Sequence, residues 1–103
     1  MIVGPFRALT SEYSEAIKVY YPFSVRLHSQ WLGRGSKTLE PIDKWCEERF
    51  GLTAKHRDTE WADDGEFMTI YYTLDLGKFW LRRIGTFHFQ DENHAFEFKL
   101  RWG

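Results

Sequence analysis

Apolar residues hold every odd position of residues 17–27 (Ile17, Val19, Tyr21, Phe23, Val25, Leu27). Lys18, Tyr20, Ser24, Arg26 and His28 take most of the even ones. A repeat of two sends alternate side chains to opposite faces, so the stretch predicts a long, half-buried strand. Pro22 has no N–H and places that strand at an edge or bulges it. The period then changes. Leu39, Ile42, Trp45, Cys46 and Phe50 recur at three and four, with Asp43, Lys44, Glu47, Glu48 and Arg49 mostly opposite. That is an amphipathic helix over 39–50, with Pro41 in its first turn and Gly51 positioned as its left-handed stop.

Residues 55–62 and 66–74 predict two strands joined at Asp64-Gly65, a two-residue hairpin signal. Paired residues then sum to 129, so Trp61 meets Met68 and Thr59 meets Ile70 on one face. His56, Asp58 and Glu60 share the other face with Phe67, Thr69, Tyr71 and Thr73. A turn at 75–78 leads to a strand over 84–89, and Asp91 caps a closing helix that carries Ala95, Phe98 and Trp102 on one side. One ambiguity stays open: Phe96, Phe98, Leu100 and Trp102 also alternate with Glu97, Lys99 and Arg101, which is strand periodicity. Residues 1–15 are broken by Gly4-Pro5 and read as an arm, with Thr10-Ser11-Glu12 able to cap one helical turn. Residues 16–103 then form one domain. The order strand, helix, strand, strand, strand, helix makes an α+β fold: a single antiparallel-rich sheet of about four strands, helices on one face, related to the ferredoxin-like arrangement.

Composition changes this picture in one respect. Nine Phe, five Tyr and five Trp in 103 residues mean that large rings fill much of a small core. A net charge of −1 disfavours a general polyanion binder, though not a local basic patch. Cys46 stands alone, which excludes an intrachain disulfide and a cysteine-based metal site, and suits a reducing compartment. No signal peptide and no membrane-length apolar run is seen, so the expected location is the cytoplasm.

Candidate chemistry is sparse. His56, Asp58 and Glu60 are metal-ligand types, but alternate residues of a strand lie nearly 7 Å apart and converge poorly; no metal and no cofactor is expected. His28 and His88 would meet only if the first and last strands are neighbours. No nucleophile stands in a recognisable setting, so enzymatic activity is left undecided and disfavoured, with a histidine- or metal-dependent enzyme as the third reading. The loop 31–37 is basic and enters a helix but lacks phosphate-loop spacing. The strongest expectation is a sheet face uncovered by helices, presenting Tyr20, Arg26, His28, Phe67, Tyr71, Trp80, Arg82 and His88. Aromatic and basic groups on an open sheet suit a protein contact, including a homodimer. They also suit a single-stranded nucleic-acid module, the less favoured alternative. Ile2, Val3, Phe6 and Leu9 offer the competing idea that the arm covers that face.

The chain closes Phe87-x-Phe89-x-Asp91-x-x-x-Ala95-x-x-Phe98-Lys99-Leu100-Arg101-Trp102-Gly103. This close resembles the C-terminus of small uncharacterised proteins encoded by tailed phages, marine ones among them. The resemblance spans about the last 17 residues, and Phe96 departs from it by adding an outward ring. It implies a compact α+β domain in an infected bacterium's cytoplasm; the reading as a binding protein adds a host protein as one partner for such a chain. It carries no activity and no functional residues.

Overall fold

A computed structural model describes residues 1–8, 10–27 and 36–102. Leu9, His28, residues 29–35 (the stretch expected as a basic loop) and Gly103 lie outside the described residues. The elements are β1 (Ile2–Arg7), α1 (Ser11–Tyr20), β2 (Phe23–Arg26), α2 (Ser36–Phe50), β3 (Lys55–Trp61), β4 (Met68–Asp75), β5 (Trp80–Arg83), β6 (Thr86–Phe89) and α3 (Glu92–Trp102). The class is α+β. The single sheet is replaced by two three-stranded antiparallel sheets, ordered β1-β4-β3 and β2-β6-β5.

Local chemistry explains each boundary. Thr10 caps α1, its hydroxyl oxygen accepting from the Tyr13 N–H at 3.4 Å, and Tyr13, Ala16 and Ile17 are the buried face. The long first strand is therefore corrected: helix runs to Tyr20, and only Phe23–Arg26 is extended. Odd-numbered Val19 is exposed while Ile17 and Tyr21 are buried, which a strand would not allow. Residues 1–15, expected as an arm, divide between β1 and the first half of α1. β1 does not lie across a sheet face; it extends one, pairing with β4 through a bulge between Val3 and Phe6.

α2 starts at Ser36, so Pro41 sits inside the helix and not in its first turn. Gly51 stops α2 at φ 96°. In β3–β4 the pairs Trp61↔Met68, Thr59↔Ile70 and His56↔Thr73 hold the expected register. The turn is wider than two residues, because Ala62 O accepts from Gly65 N at 2.8 Å and Ala62 N donates to Phe67 O. The stretch expected as one strand over 84–89 is only the second half of a hairpin, with Trp80–Arg83 as its other arm. The closing segment is helical: Asp91 Oδ1 accepts from Asn93 N at 2.7 Å, and Ala95 and Phe98 are buried.

Two cores result. One lies between α2, α3 and a face of β2-β6-β5, and contains Ile42, Cys46, Phe50, Trp80, Phe87, Phe89 and Phe98. The other joins α1 to β1 and β4 and takes in Leu81 from β5. Trp80 and Leu81 are consecutive in a strand and point oppositely, so β2-β6-β5 is covered on both sides near β5. Ala54 marks the seam between the sheets, donating to Trp80 O at 2.7 Å and accepting from Asp75 N at 2.9 Å. Tyr21 adds a second tie, its hydroxyl lying 3.0 Å from both Asp75 O and Lys78 O.

Candidate functional site: a projecting hairpin and a basic cleft

Of the eight residues expected on one open face, the seven that are described separate into five places. Trp80 is in the core, 2% exposed, its indole N–H donating to Gly51 O at 2.7 Å. It belongs to no surface, because its face of the sheet is roofed by α2 and α3. Arg82 is a structural latch: Nε and Nη2 grip Asp43 of α2 at 2.9 and 3.0 Å, and Nη1 donates to Ile84 O at 2.9 Å. Tyr20 is exposed at the end of α1, away from any strand. His28 is outside the described residues. The remaining four form two pairs, Phe67 with Tyr71 and Arg26 with His88.

Phe67 and Tyr71 belong to the β3–β4 hairpin. β1 accompanies β4 only as far as Arg7↔Tyr71, with Ala8 N donating to Ile70 O at 3.1 Å. Past that point the hairpin is two-stranded, and residues 56–68 are all exposed. The molecule measures 48 × 32 × 24 Å, longer than a compact chain of its size requires. At the end, Trp61 is 59% exposed, Phe67 68% and Met68 44%, with Trp61 and Met68 directly paired. Asp58, Glu60, Asp63, Asp64 and Glu66 belong to the same stretch of chain, and no Lys or Arg occurs between Asp58 and Met68. On the outer side, Pro5, His56, Asp58, Thr59, Glu60, Tyr71 and Thr73 line a shallow concavity of about 440 Å³. Among the described residues no three His, Cys, Asp or Glu side chains converge as a metal site would need.

Arg26 and His88 meet on the back of β2-β6-β5. Register places Arg26 and Arg83 on either side of Thr86, and Ser24 opposite His88. Arg26, Arg83, Ile84, Gly85, Thr86 and His88 line a cleft of about 390 Å³. Sequence reasoning found Arg26 and His88 from their even positions. It missed Arg83 and Thr86, because the Arg83-Ile84-Gly85-Thr86 turn has a β-branched Ile at its first central position, where Asn, Asp or Gly would signal a hairpin. Burial, then the charges of Arg83 and Lys55, hold His88 down at about 4, so it is neutral at physiological pH. Arg83 also lies over the Tyr13 ring, 5.4 Å from its centroid. Lys55 is itself held below its ordinary value, by burial first and then by Arg82, with Arg83 and Arg57 adding to the effect; Nζ donates to Arg82 O at 2.8 Å. The positive groups here outnumber the carboxylates that answer them.

Cys46 is fully buried, and burial followed by the Asp43 charge pushes its thiol upward, which makes it a packing residue and not a nucleophile. No described helix is long and apolar enough to cross a membrane. No family model matches the chain, and neither does any curated protein or any solved structure.

Proposed function

We propose that this protein is a non-catalytic binding protein that engages another protein through the end of its β3–β4 hairpin. The observation that carries this is the exposed trio Trp61, Phe67 and Met68 on a two-stranded projection whose residues 58–68 include five carboxylates and no Lys or Arg. Aromatic and Met side chains are the anchors enriched at protein interfaces. The acidic stretch specifies the partner's chemistry: an apolar pocket rimmed by Lys or Arg. A second copy of this chain suits the same end poorly, since two such hairpins would set carboxylates against carboxylates. A homodimer, if formed, would use another surface. The stacking platform of a single-strand reader would have drawn on Trp80, which is buried, so protein contact is the reading kept. The phage-like C-terminal close would place that partner in an infected bacterium.

The test is affinity capture from a bacterial lysate with the wild-type chain and with Trp61→Ala and Phe67→Ala. These residues are exposed, so both variants should fold with unchanged far-UV circular dichroism. Loss of a central aromatic anchor typically costs about 2 kcal/mol or more, roughly thirtyfold in affinity. The captured protein should therefore disappear from both variants and weaken at high salt. Equal capture by wild type and variants would sink the reading. Sedimentation of the purified chain checks self-association separately, with a monomer expected for the hairpin-only arrangement.

A further inference from the structure

We propose that the cleft between Arg26 and Arg83 is a binding site for a phosphomonoester, with Thr86 as the hydroxyl contact and His88 at its inner end. The argument begins with register. Arg26 and Arg83 sit on the two strands flanking Thr86 of β6, directly opposite it on either side. Two strand spacings separate their backbones by roughly 10 Å. Guanidinium stems are long enough to close on one tetrahedral anion held over Thr86 from that distance. All three residues line the same cleft, together with the Ile84-Gly85 turn. Its volume of about 390 Å³ suits a small ligand group.

Charge selects the class. Among the described residues the cleft is lined by two arginines, a neutral histidine and no carboxylate. A phosphomonoester carries about −1.5 to −2 near neutral pH and offers three acceptor oxygens, so it matches two guanidiniums; a phosphodiester or a single carboxylate supplies only about half that charge. Among the described residues no aromatic ring other than the imidazole lines the cleft, so those residues offer no platform to stack the bases of a nucleic-acid strand.

The rest of the fold holds these groups ready. Arg83 is fixed by its contact with Tyr13, and the turn is held at both ends: Arg82 donates to Ile84 O at 2.9 Å, and Leu27 N to Gly85 O at 3.0 Å. Asp43, the carboxylate of this network, is engaged by Arg82 through both oxygens. It does not line the cleft. Ile84 adopts φ 57° at the mouth, a conformation that β-branched residues rarely take, and such strain clusters at ligand sites.

The experiment is a titration of the full chain with inorganic phosphate and with O-phosphoserine, followed by amide and imidazole NMR. Saturable shifts confined to Gly85, Thr86, His88 and their neighbours are expected for both probes, with affinity falling as salt rises. Arg26→Ala should weaken both by at least about tenfold, the scale of one charge-assisted hydrogen bond. It is exposed on an edge strand, so its removal leaves the fold intact. Arg83→Lys keeps the charge and stem but loses the fork, and should weaken binding as well. Arg7→Ala, an exposed arginine outside the cleft, should change nothing. Binding unaltered in Arg26→Ala and Arg83→Lys overturns the site. So does the absence of localised shifts at phosphate on the order of 10 mM. An oligonucleotide lacking terminal phosphates that binds this cleft more tightly than phosphoserine overturns the monoester assignment. Should Arg26→Ala fail to fold, Arg26→Gln carries the same comparison. None of these outcomes depends on the hairpin.

Discussion

Ile84 stands at the first of two central positions between Arg83 and Thr86, with φ 57° and 83% exposure. A positive φ there and not at Gly85 is the φ pattern of a II′ turn, where glycine is the usual choice. Its Cβ has nothing to gain from packing at that exposure, so the conformation is an uncompensated cost of roughly 1 kcal/mol. Ile84→Gly is expected to raise stability by about that amount in urea unfolding, while Thr86→Gly, in the adjoining strand, should lower it. His88 gives a pH dependence whose direction follows from its surroundings. Its imidazole faces Arg83 of β5 and Lys55 of β3, with Arg26 and Ser24 on the neighbouring β2. The unfolded chain binds a proton at the ordinary 6.5, and the fold refuses it until about 4. Stability from this group is therefore complete above 6.5 and is lost as pH falls from there through 4. The urea midpoint of the wild type should drop over that window more steeply than that of His88→Gln.

At the scale of elements, α1 shows how periodicity misleads. The odd-numbered apolar residues from Ile17 to Leu27 are two partial faces laid end to end. Tyr13, Ala16 and Ile17 are a helical stripe, and Val25 belongs to a four-residue strand. Thr10 and Pro22 bounded the helix in the sequence, but the stripe N-terminal to Ile17 is short and the alternation after it is long. α2 was far easier to read, because its stripe and its stop at Gly51 agreed; α3 had the Asp91 cap and a stripe, but its alternating Phe96, Phe98, Leu100 and Trp102 left a strand open until the structure showed a helix. Their packing corrects one expectation. Trp45 is half-buried and meets Phe50, Phe98 and Trp102 edge-on along the α2–α3 seam, while Ile42, Cys46 and Phe50 make the contact with the sheet. Phe98, fully buried against Phe87 and Phe89, is the keystone of that core. Phe98→Ala should cost about 3–5 kcal/mol. Trp45→Ala should cost about 2 kcal/mol, the sum of its ring contacts. Paired denaturation curves decide the ranking, and equal losses would return Trp45 to the core.

For the whole molecule, the decisive event is the break between β4 and β5. Only residues 76–79 separate these strands, yet they belong to different sheets. Ala54 fills the seam with a hydrogen bond to each side and almost no exposed surface, which a larger side chain would not allow. The division turns Trp80 inward toward α2 and α3 and Leu81 toward α1, so one strand serves both cores. It also leaves the end of the β3–β4 hairpin without a helix above it. The surface that results is bipolar in chemistry: an acidic, aromatic projection formed by one hairpin and a basic cleft formed by the other.

Short-range chemistry was determined by the sequence alone: the caps at Thr10 and Asp91, the stop at Gly51, the stripe of α2, and the β3–β4 register down to Trp61↔Met68. These depend on neighbours within a few residues, and the residue types express them directly. The α+β class followed from the same signals. The tertiary structure alone decided which strands share a sheet, and so which face each side chain meets. Period two says that Trp80 and Arg82 share a face of their strand; it does not say which side a helix will roof, nor that His88 of β6 lies on the opposite face. Arg26 and His88 converge because β2 pairs with β6, and Arg83 joins them because β5 pairs there too. Those pairings join residues about 60 positions apart for β2 and across one unmarked turn for β5. Long-range pairing is set by the competition of whole faces for burial, which no local window of sequence records.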